Sequence, residues 1–376
     1  MSCVLMVPWF FDWISERALL RCWRFVASVS EFAGPLCMNL KSLAQHLGIS
    51  ASTVSRVMAG RGDEFRIAKE TQKHILDEAA AMGVRPDELA RSLRLQSTRT
   101  FGLVIPDISN PFFAALARAV ERRARALRYT VLLADSQESD EVEAECIRTL
   151  MDRRIDGLIL APVGGDSAHL QPLIASKLPL TQVDRVFTAL KTAAVVADNF
   201  AGACEAVKRL VKLGHKRIAC LQGREDSSVI AERVRGYRAG LSVAGLRFER
   251  KFLVGGEHSQ AIAREHTLKL LDMRPRPTAV LALSNQLALG ALEAVRERGL
   301  VIPDDLSLIA FDEQPWASLI SPPLTTLAQP VEEMGTVAVD RLCAQIKPGA
   351  KASRKVLTTL PVRLIERASV GRRKKD

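Results

Sequence analysis

One short run in this sequence carries the side chains that a protein needs to read the edges of DNA bases. In Ser50-Ala51-Ser52-Thr53-Val54-Ser55-Arg56-Val57, helical spacing places Val54 and Val57 together on one face. The opposite face has small or hydroxylated groups that permit close approach to DNA, and the Arg56 guanidinium can pair bidentately with guanine. The same run also fits a surface helix whose serines cap its end and whose arginine is solvated.

A second set of polar and aromatic side chains follows apolar segments later in the chain. Carboxylates and amides can bridge the hydroxyl pairs of a sugar, an arginine can make bidentate contacts, and aromatic rings can cover its apolar faces. In parallel α/β sheets such groups collect at the carboxyl ends of the strands. The set comprises Asn110, Phe112, Phe113, Asp184, Arg185, Asn285, Asp312 and Gln329. Strand-end Asp and Asn also cap helices or turns, and paired phenylalanines also occur in cores.

Motifs typical of enzymes are missing from the sequence. It has no Gly-x-x-x-x-Gly-Lys-Ser/Thr phosphate loop, no complete Gly-x-Gly-x-x-Gly after a strand, no Gly-x-Ser-x-Gly elbow and no His-Glu-x-x-His pair. The seven cysteines are scattered without a CxxC or Cys/His spacing, which favours reduced thiols in a cytoplasmic protein. We therefore expect no enzymatic activity, no cofactor and no metal site.

The elements that position the first run are three short helices between residues 38 and 84. An apolar stripe at helical spacing predicts the first helix, and Gly48 provides the tight turn after it. The stripe comprises Leu40, Leu43, Ala44 and Leu47. Ser50 is a good N-cap for the second helix. A third helix, from about 68 to 82, is expected to bury Ile75, Leu76 and Ala79. This is the spacing of a helix-turn-helix.

From Phe101 onward, apolar strands alternate with amphipathic helices. This alternation predicts parallel sheets covered by helices on both faces, and the number of units favours two Rossmann-like lobes. The predicted strands are 101–105, 130–134, 157–160, 180–183, 194–197, 217–221, 279–283 and 306–311. The predicted helices are 112–127, 141–153, 201–213, 231–244, 286–298 and 331–344.

From Leu40 to about Val370 the sequence resembles the LacI/GalR family of bacterial repressors. The resemblance is carried by the run from Leu43 to Val57, by Thr71 in the third helix, and by Pro86-x-x-x-Ala90-Arg91-x-Leu93. It implies a small all-α helix-turn-helix DNA-binding domain followed by an α/β two-lobed, periplasmic-binding-protein-like effector domain. It also implies a homodimer, or a higher oligomer, on a pseudo-palindromic operator in double-stranded DNA.

The resemblance implies a role for each DNA-facing residue. Ala51, Ser52 and Arg56 would contact bases. The domain would be positioned on phosphates by Ser50, Thr53, Ser55 and Thr71. Leu93 would be the apolar wedge of a hinge helix in the minor groove, where it unstacks a base step. A plain linker leucine is the alternative interpretation of Leu93.

The resemblance also indicates which residues should contact the effector, which is expected to bind in a cleft between the two lobes. Phe112 and Phe113 match ring-contacting aromatics, Arg233 matches the family's cleft arginine, and Asp312 matches a carboxylate that takes ligand hydroxyls. Their neighbours around the effector would be Asp184, Asn285 and Gln329. A sugar or sugar derivative is the expected effector, with purines and sugar acids open as alternatives.

Two positions depart from the family pattern. The loop from Gly60 to Arg66 is longer than the commonest family loop between the second and third helices. Asp87 stands where the family usually has asparagine, which places a carboxylate near phosphates or a cap on the hinge helix. The predicted DNA-binding module is only modestly basic. It has ten Lys/Arg and seven Asp/Glu between 38 and 99, although the whole chain carries +11.

These observations predict the following domain organisation. Residues 1–37 form an extension that precedes a possible start at Met38, or else an amphipathic partner helix. The DNA-binding domain spans 38–84, the hinge 85–99 and the effector and dimerisation domain 100–370, before a basic tail at 371–376. The first lobe is expected at about 100–192 and 331–358, and the second at about 193–330 and 359–370. Because charges interrupt every apolar run in 1–37, no membrane span is expected.

The function predicted from these features is a cytoplasmic, nucleoid-associated transcriptional repressor controlled by a small molecule. Ligand would close the two lobes and change the spacing of two hinge segments. Both an inducer and a corepressor fit this scheme. The alternatives are a sugar-binding module and a sugar-modifying enzyme without a DNA role. The helix-turn-helix disfavours the module, and the lack of a recognisable nucleophile or cofactor loop disfavours the enzyme.

Overall fold

The computed structural model describes residues 40–84, 97–164, 167–187, 190–346 and 356–373. The chain divides into two compact units at the junction of Gln96 and Ser97. The extension at 1–37, Asp87 and the predicted hinge helix with Leu93 lie outside the described residues. No helix in the described ranges is long and apolar enough to cross a membrane.

Within residues 40–84, the first unit forms three helices, α1 (Leu40–His46), α2 (Ala51–Met58) and α3 (Lys69–Ala81). Leu43, Val54 and Ile75, one from each helix, are fully buried and meet in one small core. The expected burial of Leu76 is wrong, since its side chain is 48% exposed. Ile75 and Ala79 lie four residues apart and define the buried face of α3, and Leu76 is turned about 100° away from it.

The second unit contains two six-stranded sheets, each the centre of one lobe. The strands in chain order are β1 (Thr100–Ile105), β2 (Thr130–Asp135), β3 (Gly157–Leu160), β4 (Leu180–Val183), β5 (Ala193–Ala197), β6 (Ile218–Gln222), β7 (Leu253–Gly255), β8 (Ala279–Ala282), β9 (Ser307–Phe311), β10 (Thr325–Ala328), β11 (Leu357–Leu360) and β12 (Arg363–Ile365). The first lobe has the order β11-β5-β4-β3-β1-β2, and the second has β12-β10-β9-β8-β6-β7. All neighbouring strands are parallel except β10 and β12.

Helices cover both sheets, as the alternating pattern predicts. They are α4 (Pro111–Ala126), α5 (Asp140–Asp152), α6 (Gln171–Ala175), α7 (Asn199–Lys212), α8 (Ser228–Val243), α9 (Gln260–Asp272), α10 (Asn285–Glu297) and α11 (Val331–Ile346). The central strands are buried along their whole length, including β3, β8 and β9. A parallel sheet buried on both faces reads as a continuous apolar run, which is how these strands appear in the sequence.

The lobe boundaries differ slightly from the sequence expectation. Strand β5 belongs to the first sheet, because Val195 pairs with Val183 of β4. Strand β11 pairs with β5 in parallel through Leu360, opposite Ala197. The chain therefore passes from the first sheet to the second after 197 rather than near 192, and again after 360. Near the end of the chain, the Arg373 amide donates to the Leu213 carbonyl, so the chain stays packed on the second lobe beyond 370.

Candidate functional site

Helix α2, the predicted DNA-reading helix, presents the outward face that its sequence predicts. Val54 and Val57 are buried, with 0% and 3% of their surface exposed, and they hold α2 against the core. Ala51, Ser52 and Arg56 are exposed on the other side. The geometry therefore leaves the small N-terminal residues and one guanidinium available to a groove.

Ser50 is the N-cap of α2. Its hydroxyl accepts a hydrogen bond from the Thr53 amide at 3.1 Å and lies 2.8 Å from the hydroxyls of both Ser52 and Thr53. The cap satisfies one backbone donor of the first turn and gathers three hydroxyls there. Ser55 is partly buried, and so is Thr71 in the first turn of α3. The phosphate contacts of these residues stay a prediction.

Arg56 has a neighbour that the sequence interpretation missed. Its Cζ atom lies 4.0 Å from the centre of the Phe65 ring, and the Cζ of Arg61 lies 5.0 Å from the same centre. Phe65 belongs to the long loop between α2 and α3, and 40% of its surface is exposed. The unusual loop length was the only sequence signal for this contact.

In the second unit, a hydrogen-bonded chain joins the predicted cleft residues of both lobes. The Asn285 side-chain amide donates to Asn110 Oδ1 at 2.8 Å, which links the start of α10 to the start of α4. Asp312, after β9, accepts from the Asn285 backbone amide at 3.1 Å and from Gln329 Nε2 at 2.7 Å. Asn285, Asp312 and Gln329 thus lie together, as predicted from the ends of parallel strands.

Arg233 is almost fully buried in α8, with 3% of its surface exposed. Its Nε donates to Asn199 Oδ1 at 2.7 Å, and its Nη1 donates to the Leu283 carbonyl at 2.6 Å. Its Cζ lies 3.9 Å from the centre of the Phe311 ring. Burial lowers the pKa of Arg233, while Asp312 and Asp184 oppose that shift. Asn199 and the Phe311 ring therefore hold the Arg233 guanidinium near the carboxylates of Asp184 and Asp312.

Asp184 is the most perturbed carboxyl group of the cleft. Burial raises its pKa to about 6, Arg185 and Arg233 act against that rise, and Asp312 adds to it. Its Oδ1 atom is buried and has no hydrogen-bond partner among the described residues. An unpaired buried carboxylate oxygen is costly unless a ligand, a water or a proton satisfies it.

Asp184 and Asp312 share an uncommon backbone conformation. Their φ angles are +63° and +73°, in the left-handed region that favours glycine. Aspartate tolerates this region better than most residues, at a cost of about 1 kcal/mol. Strain of this kind at the ends of β4 and β9 is typical of positions where a side chain is aimed at a ligand.

The two predicted ring-contacting aromatics are placed largely in the core of the first lobe. Phe112 and Phe113 retain 5% and 3% of their surface exposed and pack edge-to-face, with ring centres 5.1 Å apart. Asn110 caps their helix by accepting from the Phe112 amide. Arg185 lies over the Phe113 ring, with 5.5 Å between Cζ and the ring centre. Both rings are therefore mostly core residues. The hydrogen bond between Asn285 and Asn110 places the start of their helix beside the second lobe.

His258 is a cleft residue that the sequence interpretation missed. It follows β7, a strand of only three residues that lacks a clear apolar run. Burial lowers its pKa to about 4, and Arg185 reinforces that shift, so the ring is neutral at pH 7. Its Nε2 atom is buried and has no partner among the described residues. Gln329 Oε1 shares this unpaired state.

Other contacts also cross between the lobes beside these residues. The Val186 amide donates to Ser228 Oγ at 2.9 Å, and Arg224 Nη1 donates to the Glu138 carbonyl at 3.0 Å. A cavity of about 570 Å³ opens next to them. Of the seven predicted effector residues, only Asp184 lines this cavity. Asn199 and Ser228, which are not among the seven, line it as well. The hydrogen-bonded chain around Asp312 therefore lies apart from this open volume.

In the described part of the chain, no cluster of three His, Cys, Asp or Glu side chains is suited to hold a metal ion. Acceptors and a fixed guanidinium lie at the ends of β4 and β9 in the second unit, and α2 has an exposed face in the first unit.

Comparisons with known proteins agree with this arrangement. A model of the periplasmic binding protein-like domain matches residues 207–370. The HTH-type transcriptional regulator DegA of Bacillus subtilis (strain 168) is 33% identical over 338 residues, which are 89% of this chain and 98% of that protein. The ribose operon repressor of Haemophilus influenzae is 32% identical over 310 residues, or 82% of this chain and 92% of the repressor.

A solved structure extends the similarity to three dimensions. A LacI family transcriptional regulator from Enterococcus faecium, crystallised with bound ribose, superposes with a TM-score of 0.66 at 30% identity. The match covers 73% of this chain and 100% of the other chain. The two-lobed fold predicted from alternating strands and helices is therefore confirmed.

Proposed function

This chain belongs to the LacI/GalR family of transcriptional regulators, and from that premise we propose a repressor whose hold on its operator is set by a small polyhydroxylated effector. The observation that carries the effector part is a group of buried polar atoms in the cleft that have no hydrogen-bond partner among the described residues, namely Asp184 Oδ1, Gln329 Oε1 and His258 Nε2. The chain is proposed to act by binding alone, without catalysis.

The proposed reader is the exposed face of α2. Eight residues of one helix reach only a few base pairs, so specific recognition calls for two copies on two half-sites. A homodimer on a pseudo-palindromic operator supplies them. Ala51, Ser52 and Arg56 contact bases in this proposal, and the hydroxyls gathered by Ser50 contact phosphates.

The proposed effector satisfies the unpaired atoms of the cleft. Asp184 Oδ1 and Gln329 Oε1 are acceptors, and neutral His258 can accept or donate at Nε2. Hydroxyl groups match this set because each can donate to a carboxylate and accept from the Arg233 guanidinium. The ribose bound to the Enterococcus faecium relative supports a sugar or a sugar derivative.

The proposed control is a shift between two arrangements of the lobes. Among the described residues, three hydrogen bonds cross the cleft, through Asn110 with Asn285, Val186 with Ser228, and Arg224 with Glu138. A ligand that contacts both lobes favours the closed arrangement to the extent that it binds the closed arrangement more tightly than the open one. Closure alters the spacing of the two hinge segments in a dimer and so changes operator affinity.

Thermal denaturation of the full chain against sugars, sugar acids and nucleobases tests the cleft. We expect at least one sugar to raise the melting temperature, because ligand binding to the folded state stabilises it. The rise should disappear in Asp312→Asn and Arg233→Lys, after their ligand-free melting has confirmed that they fold. Asp152→Asn is the control, since Asp152 is exposed in α5. A stabilising compound that acts equally on both cleft variants contradicts the proposed site.

Selection of bound duplexes from a random pool tests the DNA part. The wild-type chain should enrich a sequence with two related half-sites, and the stabilising sugar should change its affinity for that sequence. Arg56→Ala should relax the preference at one base pair of each half-site, at a cost of about 1–3 kcal/mol for each bidentate contact. Equal binding of all duplexes, with and without sugar, would refute the regulator.

A further inference from the structure

The loop between α2 and α3 is a built structure that holds one aromatic ring beside the candidate base-reading arginine. The Arg61 amide donates to the Arg56 carbonyl at 2.9 Å, so the loop begins by folding back on the end of α2. The Ile67 amide donates to the Gly62 carbonyl at 2.9 Å and closes the loop upon itself. Phe65 lies inside this closed segment.

Side chains tie the loop to α3. Asp63 accepts from Lys69 Nζ at 2.7 Å and from Gln72 Nε2 at 2.9 Å. Gln72 also donates to the Ile67 carbonyl at 2.7 Å. The hydrogen bond from Lys69 is the main reason that the pKa of Asp63 lies below its usual value. The loop therefore has a defined shape although its surface is exposed.

The Phe65 ring contacts two guanidinium groups. The Arg56 Cζ is 4.0 Å from the ring centre and the Arg61 Cζ is 5.0 Å away. Arg61 is engaged with Glu64, whose Oε2 lies 2.6 Å from its Nε. Arg56 forms no ion pair within residues 40–84, so its N–H groups stay available.

Stacking on a ring uses the face of a guanidinium and leaves its edge free. Guanine O6 and N7 are recognised by that edge. A free arginine side chain loses much rotamer freedom when it is fixed on a base, and a guanidinium already held in a plane loses less. An aromatic ring at this place therefore prepares Arg56 for the groove.

We propose that Phe65 is a positioning residue for base readout, and that it acts by holding the Arg56 guanidinium in its reading orientation. The proposal rests on the proposed function, because it assigns a determinant of specificity to the same DNA-reading face. Phe65 need not touch DNA. The longer loop is the device that brings its ring to Arg56.

The test uses the full chain and the duplex that wild-type protein selects from a random pool. Fluorescence anisotropy at fixed salt compares wild type, Phe65→Ala, Phe65→Trp, Arg56→Ala and the double variant. Phe65→Ala should weaken binding by roughly two- to fivefold per reading helix, the range of an exposed cation–π contact. Phe65→Trp should retain wild-type affinity, because tryptophan is the strongest partner of this kind.

Two further readouts separate positioning from a structural role. The loss caused by Phe65→Ala should vanish in the Arg56→Ala background, since neighbouring residues that act through one contact are not additive. It should also concentrate at the base pair whose preference Arg56→Ala relaxes. The salt dependence of binding should stay unchanged, because no phosphate-binding charge is removed.

Several outcomes overturn the assignment. A Phe65→Ala loss that persists without Arg56 would mean that the ring contacts DNA or supports the domain directly. An equal loss in Leu76→Ala, where an exposed apolar side chain of α3 is removed, would assign the effect to general destabilisation. Wild-type affinity in Phe65→Ala would leave the regulator intact and remove this role, whereas a wild type without any preferred duplex would refute both.

Discussion

At the scale of single residues, Asp184 combines burial, an unpaired oxygen and a strained backbone. Its pKa of about 6 lies above the 3.8 of a free aspartate, so the folded protein binds the extra proton in the window between those values. Stability contributed by this proton is present below about pH 4 and is lost as the pH rises through 6. Above that window the folded state carries a desolvated charge at a cost of about 3 kcal/mol.

Replacing Asp184 with asparagine should remove this pH-dependent cost. Relative to wild type, Asp184→Asn should gain about 2–3 kcal/mol of unfolding free energy between about pH 4 and pH 7. Urea unfolding followed by circular dichroism at several pH values measures the difference. Asp152→Asn controls for the loss of a charge in the same unit. A stability difference between variant and wild type that is flat with pH would contradict the assigned pKa.

Effector binding should release a proton from the same carboxyl group. Hydroxyls that donate to Asp184 stabilise its charged form and lower its pKa, so the complex holds fewer protons than the free protein near pH 6. Calorimetry of the stabilising sugar in buffers with different ionisation enthalpies counts the released protons. The release should be absent near pH 8 and in Asp184→Asn. Proton uptake at pH 6 would mean that Asp184 does not accept from the ligand.

At the scale of elements, the sequence predicted those with strong periodicity and missed short or polar ones. Strands β3, β5 and β6 match to within one residue because they are almost wholly apolar in sequence. Strands β7 and β12 have three residues each, and β11 consists of Leu-Thr-Thr-Leu, so none has a distinct apolar signal. Helix α9 was missed although Ala263, Leu270 and Leu271 follow helical spacing, because Thr267 completes its buried face.

The site was predictable for a similar reason. Asp184 and Asp312 follow apolar strands and so could be placed at one edge of a sheet. His258 follows a three-residue strand, and Phe65 reaches Arg56 through the fold of a loop, so their positions depend on tertiary contacts that no local pattern encodes.

The packing of α11 on α4 sets a limit on side-chain size that can be tested. A Cβ atom added at Gly335 would lie 2.6 Å from the Ala119 Cβ and 2.9 Å from the Val120 amide nitrogen. Gly335→Ala should therefore destabilise the protein by about 1–3 kcal/mol, although alanine favours helices more than glycine does. Urea unfolding measures this change, with Glu333→Ala on the exposed face of α11 as the control. A more stable Gly335→Ala would show that the two helices can separate at little cost.

At the scale of the whole molecule, regulation requires that the first lobe act on the chain that enters it. Asp156, just before β3, accepts hydrogen bonds from the Thr98 amide at 2.7 Å and the Arg99 amide at 3.0 Å, and from Ser97 Oγ. A single carboxylate thus anchors the last residues of the predicted hinge, 97–99. In the proposed mechanism, a movement of β3 on closure is passed to this segment through Asp156.

Asp156→Ala should therefore weaken the coupling between effector and operator more than it weakens binding of either. The coupling is the factor by which a saturating effector changes operator affinity, and the operator must change effector affinity by the same factor. In Asp156→Ala both factors should fall together by at least about fivefold, since coupling energies are typically 1–3 kcal/mol. Arg56→Ala should behave oppositely, losing operator affinity while the coupling factor stays close to wild type. Titrations of operator with and without sugar, and of sugar with and without operator, measure all four affinities. Full coupling in Asp156→Ala would show that closure reaches the DNA-binding unit by another route.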